Sequence, residues 1–187
     1  MTWNPPAIAA LDDAALAARL QHRIDHLTKP LGALGRLETL MLQAGRLQGR
    51  VDPRLDAPQA LVFAADHGLA ARGVSAYPSE VTAQMVENFL AGGAAISVLA
   101  RTHGLALTVV DCGVRGTRTP RPGLVVRPVA AGTADAAAGP AMSAAQCVQA
   151  LELGREVLRG VPGNAVVLGE MGIGNTSAAA LLTARLA

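Results

Sequence analysis

Aromatic side chains are scarce in this sequence, making up 2% of its 187 residues. The hydrophobic core is therefore predicted to consist of Ala, Val, Leu and Ile, and rings for stacking nucleic-acid bases are lacking. Charged residues amount to only 16%, and the net charge is only +2. Positive and negative charges are therefore too nearly balanced for a basic surface that binds nucleic acid. Four arginines gather between Arg115 and Arg127, which we interpret as a solvated, proline-rich loop. The length favours one main core, and the charge balance predicts no nucleic-acid partner.

Cysteine and long apolar runs are also limited. Cys112 and Cys147 cannot form a disulfide framework and have no partners at metal-ligand spacing. We expect no signal peptide and no apolar run of the ~20 residues that a membrane span needs. The four-residue spacing of His22 and His26 allows a metal in principle, but a solvated helix face is favoured. The sequence thus predicts a reduced, cytoplasmic setting with no membrane and no metal.

Two amphipathic helices are predicted in the first fifty residues. Asp12 is expected to cap the first helix, which runs to about Leu27 with an apolar stripe at helical spacing. A turn with two glycines, residues 29–36, leads into the second helix. That helix is expected to bury an apolar face composed of Leu37, Leu40, Met41, Ala44 and Leu47.

The middle of the chain predicts a βαβ unit. Residues 60–65 and 105–110 form apolar runs typical of buried parallel strands, and each is followed by an Asp and, closely, a Gly. A helical crossover capped by Ser79 connects them, which favours a parallel sheet. Residues 124–126 form a doubtful edge strand because prolines flank them. Ser143 and Gln146 predict a capping box for a helix to about Arg159.

Asp66 and His67 follow the first predicted strand directly. Ligands in open α/β sheets bind at the carboxyl ends of strands, so this pair is a candidate for supporting a site there. The alternative is structural, with Asp66 capping a turn and His67 satisfied in the core. Further along, Gln84 lies among apolar residues of the crossover helix, as in a small-molecule site with few polar groups.

The most informative stretch, residues 165–177, reads AVVLGEMGIGNTS. Four apolar residues predict a short strand, and glycines and capping residues then lead into a helix. Glycines allow close approach to a ligand, and free N–H groups at a helix start attract anions, so the stretch predicts a phosphate cradle. Glu170 is expected inside the loop, facing a sugar hydroxyl, a ring N–H or a developing positive charge. The predicted phosphate-binding residues are Gly172, Ile173, Gly174, Asn175, Thr176 and Ser177.

Other interpretations of this loop stay open at the level of pattern. An ordinary strand-to-helix turn has the same composition, and no lysine follows the glycines as it does in nucleoside triphosphatases. The spacing Gly172-x-Gly174-x-x-Ser177 is a loose version of the dinucleotide fingerprint, which would permit an oxidoreductase. The absence of an N-terminal glycine fingerprint counts against that choice.

Four blocks in order, KPLGALGRLE, ADHGLAARGVSAYPSEVTAQMVENFLAGGAAISVLAR, DCGV and GEMGIGNTSAA, resemble the nicotinate-nucleotide:dimethylbenzimidazole phosphoribosyltransferase family. The resemblance implies an α/β fold with a Rossmann-like parallel sheet and a smaller helical lobe. We expect residues 1–50 to be part of that lobe and residues 51–187 to be part of the α/β domain. It also implies a cytoplasmic homodimer that uses no cofactor and no metal.

The reaction that the resemblance implies is transfer of phosphoribose from nicotinate mononucleotide to 5,6-dimethylbenzimidazole in cobalamin lower-ligand synthesis. Glu170 would stabilise positive charge on the sugar, and the loop from Gly172 to Ser177 would hold the 5′-phosphate. Gln84, Ser75, Tyr77 and Met85 would wall the flat acceptor base.

Family members are nearly twice as long as this chain, and their presumed general base is a Glu in the half that has no counterpart here. The resemblance therefore implies an N-terminal half that is inactive alone. The alternative is a non-catalytic nucleotide- or azole-binding fragment that retains the phosphate cradle.

Overall fold

The computed structural model describes residues 3–116 and 118–186, which fold as two compact units. The smaller unit is Asn4–Leu55, and the larger one comprises residues 56–186 together with Trp3. Assignment of the N-terminal helices to a lobe of a longer protein stays a prediction.

The smaller unit contains helices α1, Ala14–Asp25, and α2, Arg36–Gln48. The cap of α1 is Asp13, not Asp12 as predicted, because the Oδ1 atom of Asp13 reaches the N–H of Leu16 at 2.8 Å. The predicted apolar stripe of α1 is buried over most of its length. The helices approach closely at Gly45, where an added β-carbon would lie 2.4 Å from the Cδ2 atom of Leu20.

The prediction that α2 buries its apolar face is wrong at the three predicted leucines, whereas Met41 and Ala44 are partly buried. Leu37, Leu40 and Leu47 are 63%, 51% and 70% exposed. The reason is geometric: α1 is the only other helix among the described residues of this unit, and one neighbour covers one stripe of a helix.

The larger unit is built on a parallel sheet in the order β3-β2-β1-β4, which confirms the predicted α/β class with a Rossmann-like sheet. Its strands are β1 Gln59–Ala65, β2 Ala106–Gly113, β3 Leu124–Val126 and β4 Val166–Met171. Its helices are α3 Glu80–Leu90, α4 Ala95–Thr102, α5 Ala144–Gly160 and α6 Asn175–Leu186, with a short 3-10 turn at Gly68–Arg72. Ala187, the last residue of the predicted final helix, lies outside the described residues.

Helices α3 and α4 cover one face of the sheet. Val62 and Val109 of the sheet form a buried cluster with Val86 and Phe89 of α3. The other face carries Ala65 and meets α5 across cavities of about 240 and 380 Å³. The core thus lies mainly between the sheet and α3, as the apolar strands predict.

The expectation that no apolar run is long enough for a membrane span needs correction. The segment Glu80–Thr102, 23 residues, reaches a mean hydropathy of 1.2 and by length and composition alone could cross a membrane. In the structure it is the pair α3–α4, interrupted after Leu90, and its buried residues Thr82, Val86 and Phe89 lie on one stripe of α3. Core helices of water-soluble proteins pass the same test, so the segment is weak evidence for a span.

The arginine-rich segment is more ordered than a solvated loop. Arg118 is 10% exposed in its side chain, and its Nη1 atom lies 3.4 Å from the buried carboxylate of Asp111. Arg121 forms an ion pair with Glu87 of α3. Because a buried carboxylate needs a partner, Asp111 draws Arg118 inward, and the prediction is wrong at that residue.

The remaining boundary predictions have mixed outcomes. Residues 124–126 are confirmed as an edge strand, and the capping box of Ser143 and Gln146 starts α5 as predicted. Ser79 precedes α3 but already has helical backbone angles, and its side chain makes no capping bond.

Candidate functional site

The order of the strands creates a topological switch point between β1 and β4. The chain leaves β1 toward β2 and β3 on one side and later returns to place β4 on the other side. The loops that follow β1 and β4 therefore diverge, which opens the crevice where open α/β sheets bind ligands. Residues 66–68 and 172–174 form the two rims of this crevice. The two segments favoured by the sequence are thus brought together.

Gly172 marks the closest approach of the two rims. A β-carbon added at Gly172 would lie 2.2 Å from the carbonyl oxygen of Ala65 and 2.9 Å from the Nε2 atom of His67. No real side chain tolerates such distances, so only glycine fits at this position. Gly174, two residues on, has φ of +90°, a conformation that also favours glycine.

The glycine loop is anchored to α3 by a residue that sequence reasoning missed. The N–H of Ile173 donates to the Oγ1 atom of Thr82 at 3.0 Å, and Thr82 is fully buried. Thr82 shares the buried stripe of α3 with Val86 and Phe89. A hydroxyl on an otherwise apolar stripe needs a buried partner, and this was the available signal.

The amide groups of the predicted phosphate cradle are only partly available. The N–H of Asn175 donates to the carbonyl of Gly172 at 2.9 Å, and the N–H of Thr176 donates to the Oδ1 atom of Asn175 at 2.9 Å. With Ile173 also committed, the N–H groups of Gly174 and Ser177 have no acceptor among the described residues. These two amides lie at the positive end of the α6 dipole, where an anion is favoured. The anion site therefore has fewer backbone donors than the sequence predicted.

Glu170 lies in β4 and not inside the loop as predicted. The strand extends to Met171 because its pairing with β1 continues to that residue, and Glu170 is in register with Phe63. The Glu170 side chain is exposed, and its Oε2 atom accepts a hydrogen bond of 2.7 Å from the Nδ2 atom of Asn175. A carboxylate thus stands at the end of the strand, tied to the first residue of α6.

His67 is a partly buried base near the carboxylates of Glu170 and Asp66. Burial lowers the pKa of His67 below its ordinary value of 6.5, and the nearby charges of Glu170 and Asp66 act in the opposite direction. The net lowering of the pKa favours a neutral imidazole at neutral pH. One of its ring nitrogens then donates a hydrogen bond and the other accepts one.

Asp66 has a structural function in this arrangement. It is 3% exposed, and its Oδ2 atom accepts a hydrogen bond of 2.7 Å from the N–H of Arg115. Its backbone carbonyl accepts from the N–H of Thr133, and its own N–H donates to Gly113. Asp66 therefore holds the loop after β2 and residues near 133 against the end of β1.

The four residues of the predicted acceptor pocket lie on the loop before α3 and on α3 itself. Tyr77 is 64% exposed and Gln84 is exposed, whereas Met85 packs partly against the core. The Oγ atom of Ser75 accepts from the N–H of Tyr77 at 3.2 Å, which shapes the loop. Because Tyr77 and Gln84 are exposed to solvent, the joint function of the four residues stays a prediction.

The same loop nevertheless borders the glycine loop. A β-carbon at Gly174 would lie 3.6 Å from the Cγ2 atom of Val74. The wall predicted for the acceptor base therefore begins beside the predicted phosphate site.

A separate cavity of about 240 Å³ lies near the ends of β1 and β2. Cys112 lines it together with Ala65 and Met142. Burial, reinforced by the charge of Asp111, raises the pKa of the Cys112 thiol to about 12.

Among the described residues no group of three or more His, Cys, Asp or Glu side chains could hold a metal.

An open parallel sheet with a glycine loop, a helix start and a carboxylate at its switch point is an arrangement typical of α/β proteins that bind nucleotides. A model of the DBI_PRT family, described as phosphoribosyltransferase, matches residues 8–187. The chain belongs to this phosphoribosyltransferase family.

The similar proteins carry one activity in their names. A nicotinate-nucleotide–dimethylbenzimidazole phosphoribosyltransferase of Variovorax paradoxus (strain S110) is 71% identical over 182 residues, covering 97% of this chain and 52% of the relative. The Cupriavidus necator protein of the same name is 56% identical, with 97% and 53% covered. A crystal structure of the enzyme from Thermus thermophilus has a TM-score of 0.85 at 49% identity, covering 93% of this chain and 54% of that one. The chain thus spans about half the length of the relatives it matches.

Proposed function

We propose that this chain contributes the phosphoribosyl-donor site of a nicotinate-nucleotide:dimethylbenzimidazole phosphoribosyltransferase. The observation that carries the proposal is the junction of Gly172 with His67, which brings the glycine loop and Glu170 to the switch point. Membership of the phosphoribosyltransferase family and the shared name of the relatives support it.

In the proposed reaction, the bond between C1′ of the ribose and the pyridinium nitrogen of nicotinate mononucleotide breaks. Its electron pair goes to the nitrogen, and nicotinate leaves. A ring nitrogen of 5,6-dimethylbenzimidazole forms the new bond to C1′, and the proton of the azole passes to a general base. The products are α-ribazole 5′-phosphate and nicotinate.

Glu170 would stabilise the positive charge that builds on the ribose as the old bond breaks. The N–H groups of Gly174 and Ser177 would bind the 5′-phosphate, fixing C1′ for attack. The hydroxyl groups of Thr176 and Ser177 are available as further donors.

The acceptor would lie against Ser75, Tyr77, Gln84 and Met85, with Asp66 and His67 supporting the crevice. A neutral His67 suits this place because a cation there would oppose the charge on the ribose. The general base is expected from residues outside this chain. We further propose a homodimer, which the family resemblance supports, and a cytoplasmic location, which the resemblance and the free cysteines Cys112 and Cys147 support.

Product formation tests the proposal. The protein expressed from its complete gene, mixed with nicotinate mononucleotide and dimethylbenzimidazole, should release nicotinate and α-ribazole 5′-phosphate, measured by chromatography. Glu170→Gln should lower kcat about 100-fold while changing the affinity for the mononucleotide little, because the charge it meets exists only in the transition state. Binding without product would favour the alternative of a non-catalytic nucleotide-binding protein.

A further inference from the structure

The side chain of Asn175 connects the end of β4 to the first turn of α6. Its Nδ2 atom donates to the Oε2 atom of Glu170 at 2.7 Å, and its Oδ1 atom accepts from the N–H of Thr176 at 2.9 Å. The partners determine the orientation of the amide, because a flipped amide would set oxygen against carboxylate and N–H₂ against N–H. The amide therefore uses both ends inside the chain.

These bonds differ from the function that the sequence suggested for Asn175. The backbone N–H of Asn175 already donates to the carbonyl of Gly172 at 2.9 Å, and its side-chain oxygen is committed to Thr176. A phosphate would therefore find its free amide donors at Gly174 and Ser177. Asn175 contacts the carboxylate instead of the predicted anion site.

Glu170 depends on this contact for its orientation. Its side chain is exposed and has several rotatable bonds, so water and alternative rotamers compete for it. Among the described residues Asn175 is the only side chain that hydrogen-bonds Glu170. A carboxylate that must face one ribose carbon loses its effect when it points elsewhere.

We propose that Asn175 is a positioning residue that orients the Glu170 carboxylate toward the ribose and couples it to the phosphate-binding turn of α6. This inference rests on the proposed function, because it takes from it the role of Glu170. It adds a mechanical link: the residue that holds the carboxylate is the first residue of the helix whose N-terminus would bind the phosphate.

Asn175→Asp separates positioning from a merely structural function. The two side chains have nearly the same shape, and Asp retains an oxygen that accepts from the N–H of Thr176, so the helix start is preserved. The donor to Glu170 is replaced by an acceptor, which repels the carboxylate. In the protein expressed from its complete gene, kcat should fall between about 10-fold and 100-fold. The added carboxylate also lies beside the amides that would bind the phosphate, so the KM for nicotinate mononucleotide should rise, and this rise should be the same on the Glu170→Gln background.

The double variant Glu170→Gln/Asn175→Asp rebuilds the hydrogen bond with reversed polarity, because the Gln amide donates to the Asp oxygen. On the Glu170→Gln background, Asn175→Asp should cost no further turnover, since the carboxylate that it repels is gone. Crystal structures of the variants give a second measurement: Glu170 should turn away in the single variant, and the 170–175 contact should return in the double variant.

Each outcome decides the matter. Unchanged kcat in Asn175→Asp, or equal losses on the wild-type and Glu170→Gln backgrounds, would overturn the positioning function. A Glu170 side chain that keeps its place in the Asn175→Asp crystal structure would overturn it as well. If the unmodified protein forms no product, the proposed function fails by itself, and the crystal structures still test the link between Asn175 and Glu170.

Discussion

The backbone of Gly172 lies directly against the imidazole ring of His67, leaving no room for a side chain between them. An added β-carbon would lie 2.9 Å from the Nε2 atom of His67 and 2.2 Å from the carbonyl oxygen of Ala65. This contact joins the loop after β1 to the loop after β4, and the candidate site is arranged around it.

Gly172→Ala should therefore destabilise the protein by about 1–3 kcal/mol, the usual cost of forcing extra atoms into a packed site. Gly169→Ala is the matched control in the same strand region, because a β-carbon there meets the Cγ2 atom of Val62 at an ordinary 3.5 Å. Urea unfolding of both variants measures the difference in the free energy of unfolding. Equal stability of the two would contradict the close contact at Gly172.

Thr82→Val should loosen the glycine loop. Valine has nearly the same shape as threonine but cannot accept the hydrogen bond from the N–H of Ile173, which is buried. Leaving that donor unsatisfied should cost about 1–3 kcal/mol of unfolding free energy. Thr82→Ser retains the hydroxyl and should preserve the affinity for nicotinate mononucleotide, measured by calorimetry, better than Thr82→Val. The reverse order would show that the hydroxyl does not hold the loop.

Stability should fall with acidification through His67. Burial lowers the pKa of His67 in the folded state below 6.5, its ordinary value. As the pH falls through about 6.5, the unfolded chain takes up a proton at this residue and the folded chain resists it. The unfolded state then binds more protons, so the free energy of unfolding decreases with falling pH.

His67→Gln isolates this contribution. Unfolding free energies of the wild type and the variant are measured between about pH 8 and pH 5. The value for the wild type minus that for the variant should decrease as the pH falls through the ordinary histidine range, because only the wild type carries this titrating group. Parallel curves for the two proteins would show that His67 titrates alike in both states.

The two cysteines should differ sharply in reactivity. Burial and the charge of Asp111 raise the pKa of Cys112 to about 12, so it has almost no thiolate near neutral pH, whereas Cys147 is exposed. An alkylating reagent at about pH 8 should modify Cys147 in the native protein and reach Cys112 only after denaturation. Cys147→Ser is the control, and rapid labelling of that variant before unfolding would contradict a half-buried, protonated Cys112.

Much of the sheet could be predicted because its strands are apolar on both faces and end in recognisable turns. The runs at 60–65 and 105–110 correspond to β1 and β2, and the glycines of the last stretch correspond to a real close approach. Strand length was harder to predict. Glu170 lies within β4 because the pairing with β1 continues beyond the apolar residues of that strand. The sequence of one strand does not show where its pairing with a neighbouring strand ends.

The errors at other residues have the same origin in long-range contact. The buried function of Thr82 depends on the N–H of Ile173, a residue 91 positions away. The spacing of Leu37, Leu40 and Leu47 marks an apolar face correctly but cannot say how many neighbours cover it. The hydrogen bonds of Asn175 could likewise not be predicted from the sequence, because the same residue types cap helices and line anion sites at helix N-termini.

The most direct test of the account is a crystal structure of the protein from its complete gene, soaked with nicotinate mononucleotide. The 5′-phosphate should lie within hydrogen-bond distance of the N–H groups of Gly174 and Ser177, with C1′ facing the Glu170 carboxylate. Density for the nucleotide at any other place, with these two amides still unoccupied, would contradict the central claim.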